Sequence, residues 1–128
     1  MHKQKVIKLS LPLLSECVVS ARLTAGVVCS ILKLDIDESE DVKLCVSEAC
    51  NVLLNQNFCT AEITFGFGDG LRLELAGTDC RGEAKESKSA NEMSVMLLSA
   101  LADNVQFFES GGIISKISFT KEITGGRA

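Results

Sequence analysis

Leu34-Asp35-Ile36-Asp37-Glu38-Ser39-Glu40-Asp41-Val42-Lys43-Leu44-Cys45-Val46-Ser47-Glu48-Ala49-Cys50-Asn51 is the run whose reading decides the fold. It predicts an amphipathic helix from about Glu38 to Gln56, capped by Asp37 with Glu40 three residues on, the spacing of a capping box. Acidic residues crowd the first turn, where the helix dipole favours negative charge. Val42, Cys45, Val46, Ala49 and Leu53 recur at helical spacing and form the stripe to be buried. Glu48, Asn51 and Asn55 follow one another off that stripe at intervals of three and four. A carboxylate and two carboxamides thus share a polar edge, which faces either water or a ligand.

On the N-terminal side, Lys5 to Leu11 alternates as a half-buried strand does, and Pro12 ends it. Ser15 then caps a helix from Glu16 to about Leu32, with Val18, Arg22 or Ala21, Ala25, Cys29 and Leu32 as its stripe. Beyond the central helix, Thr60 to Phe67 and Leu71 to Ala76 alternate on either side of Gly68-Asp69-Gly70. Its Asp-Gly supplies the positive φ of a tight hairpin turn. Gly77 to about Ala90 is the one long loop, and its charged run Arg81 to Lys88 reads as a solvated loop or as a lid that touches a protein partner. Asn91 caps a third helix, Glu92 to Leu101, with Met93, Met96, Leu97, Ala100 and Leu101 apolar. Met93 and Met96 read as core filler rather than as a binding groove. Val105 to Phe108 and Ile113 to Thr120 make a second hairpin through Gly111-Gly112. This order predicts an α+β two-layer sandwich with one mixed, mostly antiparallel sheet and three helices on one face. The length of 128 residues suits a single domain, 1–128.

Composition narrows the function classes. The net charge is -4 and no basic run exceeds a pair, which argues against nucleic acid as a partner. Phe is the only aromatic, with neither Trp nor Tyr, which argues against a base-stacking platform as well. No apolar run is long enough to span a membrane, and the first residues lead straight into a strand pattern instead of a signal peptide. Of the six cysteines, Cys17, Cys29, Cys45 and Cys50 fall within helical patterns, and no C-x-x-C occurs. They read as small buried hydrophobes in a reducing cytoplasm, in preference to a disulfide or zinc framework. His2 is the only histidine, which argues against histidine-based catalysis.

The element order, together with Asp-Val-Lys-Leu-Cys-Val-Ser-Glu-Ala-Cys-Asn at 41–51, resembles the anti-sigma factor serine kinases of the GHKL ATPase superfamily. Leu98-Ser99-Ala100-Leu101-Ala102-Asp103-Asn104-Val105 is similar to that family's last helix and the strand after it. The resemblance implies a Bergerat (histidine kinase-like ATPase) sandwich, a cytoplasmic location, ATP and Mg²⁺ as cofactors, and a sigma factor or anti-sigma antagonist as protein partner. It also implies a homodimer paired through the first strand and its sheet.

The resemblance further assigns site residues, with departures. Glu48 stands in register with the general base. The family's Mg²⁺-binding Asn lies four residues on, where this chain has Val52, which offers no oxygen to a hard cation. Asn51 comes one position early, about 100° round the helix, as a displaced Mg²⁺ ligand. Asn55 and Asp79 are the other cofactor-binding candidates. In the adenine-reading box, Gly77 stands at the position of the Asp and Asp79 at that of the first glycine. Loss of that acceptor costs about 1–3 kcal/mol of adenine recognition. The phosphate-approach glycines are replaced by Met93-Ser94-Val95-Met96.

Each candidate also has a plain structural reading. Glu48 is then a solvated carboxylate, Asn51 and Asn55 are surface amides or caps, and Asp79 forms a turn pair with Thr78. Three functions follow. The first is a regulator that binds its protein partner with a degenerate ATP site. The second is an active ATP-dependent serine kinase that uses Glu48 to deprotonate a substrate hydroxyl, with Asn51 and Asp79 as displaced ligands. The third is a self-associating scaffold.

Overall fold

The computed structural model describes residues 4–79 and 88–122; His2 and the 81–87 part of the charged run lie outside the described residues. The elements run β1 (Lys5–Pro12), α1 (Ser15–Ile31), α2 (Ile36–Asn55), β2 (Thr60–Phe67), β3 (Leu71–Thr78), α3 (Lys88–Leu101), β4 (Asp103–Ser110) and β5 (Ile113–Lys121). The strands form one five-stranded sheet in the order β1-β2-β3-β5-β4. Every pairing in it is antiparallel, which corrects the mixed, mostly antiparallel sheet expected from sequence to a wholly antiparallel one. Period-two alternation sets the register: Ile63, Phe65, Leu73, Leu75, Ile117 and Phe119 are buried on the inner face, while Glu62 and Arg72 on the other face are exposed.

α2 lies centrally beneath this sheet. Its cap is two residues earlier than the sequence spacing suggested. Asp35, not Asp37, accepts from the Glu38 backbone N–H at 2.8 Å, and the Glu38 carboxylate accepts from the Asp35 N–H at 3.0 Å. Both pairs fit the same sequence pattern, and the one that satisfies the first orphan N–H groups of the actual helix wins. Val42, Cys45, Val46, Ala49 and Leu53 are buried as the periodicity required, joined by Cys50 and Val52. At the C-terminal end, the buried Gln56 side chain accepts from the Ile114 N–H at 2.7 Å, which pins α2 to the start of β5.

Three local expectations are corrected. Ser15 is the first residue of α1, whose N-cap is Leu14 with no side-chain cap. The positive φ angles of the hairpins fall at Gly111 (59°) and Gly112 (80°), not at Asp69-Gly70, where the wider turn is closed by the Gly68 N–H on the Gly70 carbonyl at 3.2 Å. Met93 and Met96 are 66% and 71% exposed, whereas Ser94 and Leu98 are buried. The buried face of α3 is thus one residue out of phase with its most apolar face, because α3 packs on the polar edge of α2.

Cys29, Cys45 and Cys50 are buried free thiols and Cys17 is a half-buried one. Cys59 departs from the all-thiol expectation: it is disulfide-bonded, with its partner outside the described residues. Spacing along the chain could not reveal this, since the neighbourhood of Cys59 is set by strand pairing; its N–H donates to the carbonyl of Asp79 at 3.2 Å. Burial pushes the Cys45 and Cys50 thiols up to about 12. A thiol whose folded pKa exceeds its unfolded value keeps its stabilising contribution below the unfolded pKa, near 9, and loses it as pH rises toward 12. Stability should therefore fall from about pH 9 upward, by about 1 kcal/mol per thiol at pH 10. Denaturant midpoints measured between pH 7 and pH 10.5 check this, and a flat profile would contradict it.

Candidate functional site

The polar edge of α2 faces α3 for most of its length. Ser94, only 5% exposed, donates its hydroxyl to Oε1 of Glu48 at 2.7 Å. Two turns further along α2, the Asn55 side-chain amide donates to Oδ1 of Asn91 at 3.1 Å. Each bond satisfies a polar group that helix packing takes from water, where an unpaired one would cost about 1–3 kcal/mol. Asn91 and Ser94 sit one turn apart on α3 and Asn55 and Glu48 two turns apart on α2, so the two bonds tie the helices together at two levels.

The other flank of Glu48 opens on a cavity of about 350 Å³ between α1 and α2, lined in part by Ser15, Arg22, Ser47, Glu48 and Asn51, with Leu13, Leu14, Val18 and Leu54 as its apolar wall. Arg22 donates to the Ser47 hydroxyl at 3.2 Å, which turns its guanidinium inward across the groove. Its chemistry is that of a small mixed site: one cation, one carboxylate, two hydroxyls and an amide. Glu48 and Asn51 are the two sequence-derived site residues that share it. Asn55 is turned to α3, and Asp79 is not among the lining residues.

Asp79 lies exposed just past the end of β3 with φ of 62°, a left-handed conformation that Asp adopts more readily than most residues. Its backbone carbonyl is committed to Cys59. Gly77, at the position that the resemblance assigns to the adenine reader, is covered by Phe58. A Cβ on Gly77 would lie 2.5 Å from Cγ of the Phe58 ring, and Phe58 is 7% exposed. The ring therefore rests on the bare Cα and fills the space beside β3. Val52, in the register of the expected metal ligand, is fully buried in the core, and Asn51 one position earlier is exposed. These residues do not fit a Mg²⁺ shell, which needs several oxygens converging at about 2.1 Å in octahedral geometry. Among the described residues no group of three or more His, Cys, Asp or Glu side chains converges as a metal site.

Sequence reasoning missed Phe58, Ser94 and Arg22. Ser94 carried little signal, since Met93, Leu97 and Leu101 form an equally spaced and more apolar row on the same helix. Arg22 was seen only as an alternative to Ala21 in the stripe of α1. Phe58 carried none, because its contact with Gly77 comes from the meeting of a loop and a strand.

Comparison with known proteins gives one informative match. The chain is 24% identical, over an alignment of 134 residues, to the serine-protein kinase RsbW of Halalkalibacterium halodurans; the alignment covers 88% of this chain and 82% of that protein. No family model matches the chain. Among the described residues no helix is long and apolar enough to cross a membrane.

Proposed function

We propose that this chain is a regulatory protein of the anti-sigma kinase type that acts by binding a sigma factor or an anti-sigma antagonist, with its ATP site lost. The likeness to a serine-protein kinase along most of both chains supports the scaffold. The packing of Phe58 on Gly77 carries the loss of nucleotide, because the ring occupies the place where an adenine acceptor would stand. The buried Val52 and the Ser94–Glu48 hydrogen bond point the same way: the expected metal ligand has no oxygen, and α3 already engages the expected base. On this reading the protein works in the cytoplasm of a bacterium, alters transcription through its partner, and forms a homodimer. Four free thiols suit a reducing compartment, and the bonded Cys59 is the one feature that points the other way.

A second reading, an active ATP-dependent serine kinase, draws support from Glu48 and Asn51 lining one cavity. Glu48 would then take the proton of a substrate hydroxyl. Thermal unfolding with and without Mg-ATP separates the two. A native site filled at a hundredfold over its dissociation constant adds ~2.7 kcal/mol. The expected result is an unchanged midpoint at millimolar Mg-ATP, together with a stoichiometric complex with a sigma factor or antagonist in size-exclusion chromatography. A nucleotide-dependent rise would overturn the lost ATP site and leave the kinase reading standing.

A further inference from the structure

The cavity between α1 and α2 holds two opposite charges that are not paired with each other. Arg22 comes from α1 and Glu48 from α2, and both line the same space of about 350 Å³. Among the described residues the ion pairs are Lys43–Glu40, Arg72–Glu74 and Lys116–Glu74, and neither cavity charge belongs to one. Arg22 is half-buried, and its side chain bonds only the neutral hydroxyl of Ser47, at 3.2 Å. A guanidinium drawn out of water normally meets a carboxylate or phosphate, the groups its forked N–H donors match. Ser94 holds Glu48 through Oε1 at 2.7 Å, and Oε2 carries no hydrogen bond among the described residues. Asn51, three residues further along α2, adds a side-chain amide to the same wall.

The rest of the cavity is apolar, and its lining includes leucines that the fold leaves uncovered. Leu14, Leu44 and Leu54 are 56%, 39% and 48% exposed and gather at this one cavity instead of standing scattered over the surface. The volume is at the lower end of the range of ligand sites, about 300–1,000 Å³. One cation facing one carboxylate does not suit a polyphosphate, whose negative charges Glu48 would repel. A simple carboxylate would answer Arg22 and leave Glu48 unmatched beside it. A simple amine would do the reverse, and a peptide terminus carries only one of the two charges. A small zwitterion with an aliphatic body answers the cation, the carboxylate and the apolar wall together, and that is the chemistry of a free α-amino acid.

We propose that this cavity binds a free aliphatic α-amino acid of the size of leucine. Its carboxylate pairs with Arg22, its ammonium with Glu48 and Asn51, and its side chain lies against Leu14, Leu44 and Leu54. The inference goes beyond the regulator reading, and failure to isolate a sigma-factor complex would leave it standing. The ligand ties α1 to α2 only in the folded chain, so L-leucine should raise the thermal midpoint in a concentration-dependent way. Titration calorimetry of the full chain should give one L-leucine per chain. Isocaproate, which lacks the amino group, and isoamylamine, which lacks the carboxylate, should each bind about tenfold or more weakly. Arg22→Gln and Glu48→Gln should each weaken L-leucine by a similar factor, and Glu48→Gln keeps an acceptor for the Ser94 hydroxyl. The ligand series is read on the unaltered protein, so it decides the matter even if a variant does not fold. No heat and no midpoint shift with millimolar L-leucine would overturn the proposal, as would an L-leucine affinity unchanged in both variants. Isocaproate, or N-acetyl-glutamate amide as a mimic of an acidic side chain on a protein partner, binding as tightly as L-leucine would overturn it too, by assigning Arg22 to a lone carboxylate.

Discussion

Phe58→Ala is expected to lower folding stability by about 3–5 kcal/mol, the usual cost of emptying a buried aromatic site. For a chain of this size that is a fall of about 10–20 °C in Tm. Phe58 is 7% exposed and its ring lies on the Cα of Gly77, so its removal leaves a cavity against β3 that the strand cannot close without breaking its ladder to β2. The partner substitution sharpens the test. Gly77→Ala alone should also destabilise, by about 1–3 kcal/mol, because the new Cβ meets the ring and one of the two must move. In the Phe58→Ala background the same change has room, and Gly77 has no positive φ to forbid a side chain. The double-mutant cycle should therefore show strong non-additivity, read from urea midpoints of the four proteins. Additive costs would mean that the ring does not cover Gly77. Mg-ATP added to the Phe58→Ala protein completes the test: no stabilisation is expected, since Gly77 still offers no acceptor to adenine.

Val52→Asn comes next in size, at about 2–4 kcal/mol destabilising. The substitution places an amide at the position where the resemblance expects a Mg²⁺ ligand. Val52 is fully buried beneath the sheet among Ala49, Leu53 and the inner strand residues. An amide there loses its water without a partner, which costs about 1–3 kcal/mol, and the site also forfeits apolar contact. The regulator reading expects the loss to be the same with and without millimolar Mg-ATP. If the site were latent, the restored ligand would bind the metal and nucleotide would recover much of the lost stability by mass action. Urea titration of the variant in both conditions decides it, and recovery with Mg-ATP would overturn the degenerate site.

Much of the fold was legible in the chain. Strands β2, β3 and β5 follow from strict alternation of large apolar residues, since a slip of one residue would turn Phe65 or Leu73 to water. The buried stripe of α2 follows from five residues at helical spacing. The start of α2 was less legible, because acidic residues at Asp35, Asp37, Glu38 and Glu40 offer two overlapping capping boxes, of which the fold closes the one between Asp35 and Glu38. The phase of α3 was misread for a related reason. Its most apolar side, Met93 and Met96, is exposed, while Ser94 is buried because its neighbour is a carboxylate.

The candidate site divides in the same way. Glu48, Asn51 and Asn55 could be placed on one polar edge from spacing alone, because helix geometry is local. Whether that edge met water, a nucleotide or protein could not be read from it. The sequence by itself determined the α+β order, the sheet register and the presence of a polar edge on a buried helix, all of which rest on short-range periodicity and the burial of apolar surface. Only the tertiary structure decided that α3 takes up Glu48 and Asn55, that Phe58 lies over Gly77, and that Asp79 stands apart from the α1–α2 cavity. Those contacts join residues tens of positions apart, and their geometry depends on how whole elements pack, which no local pattern encodes.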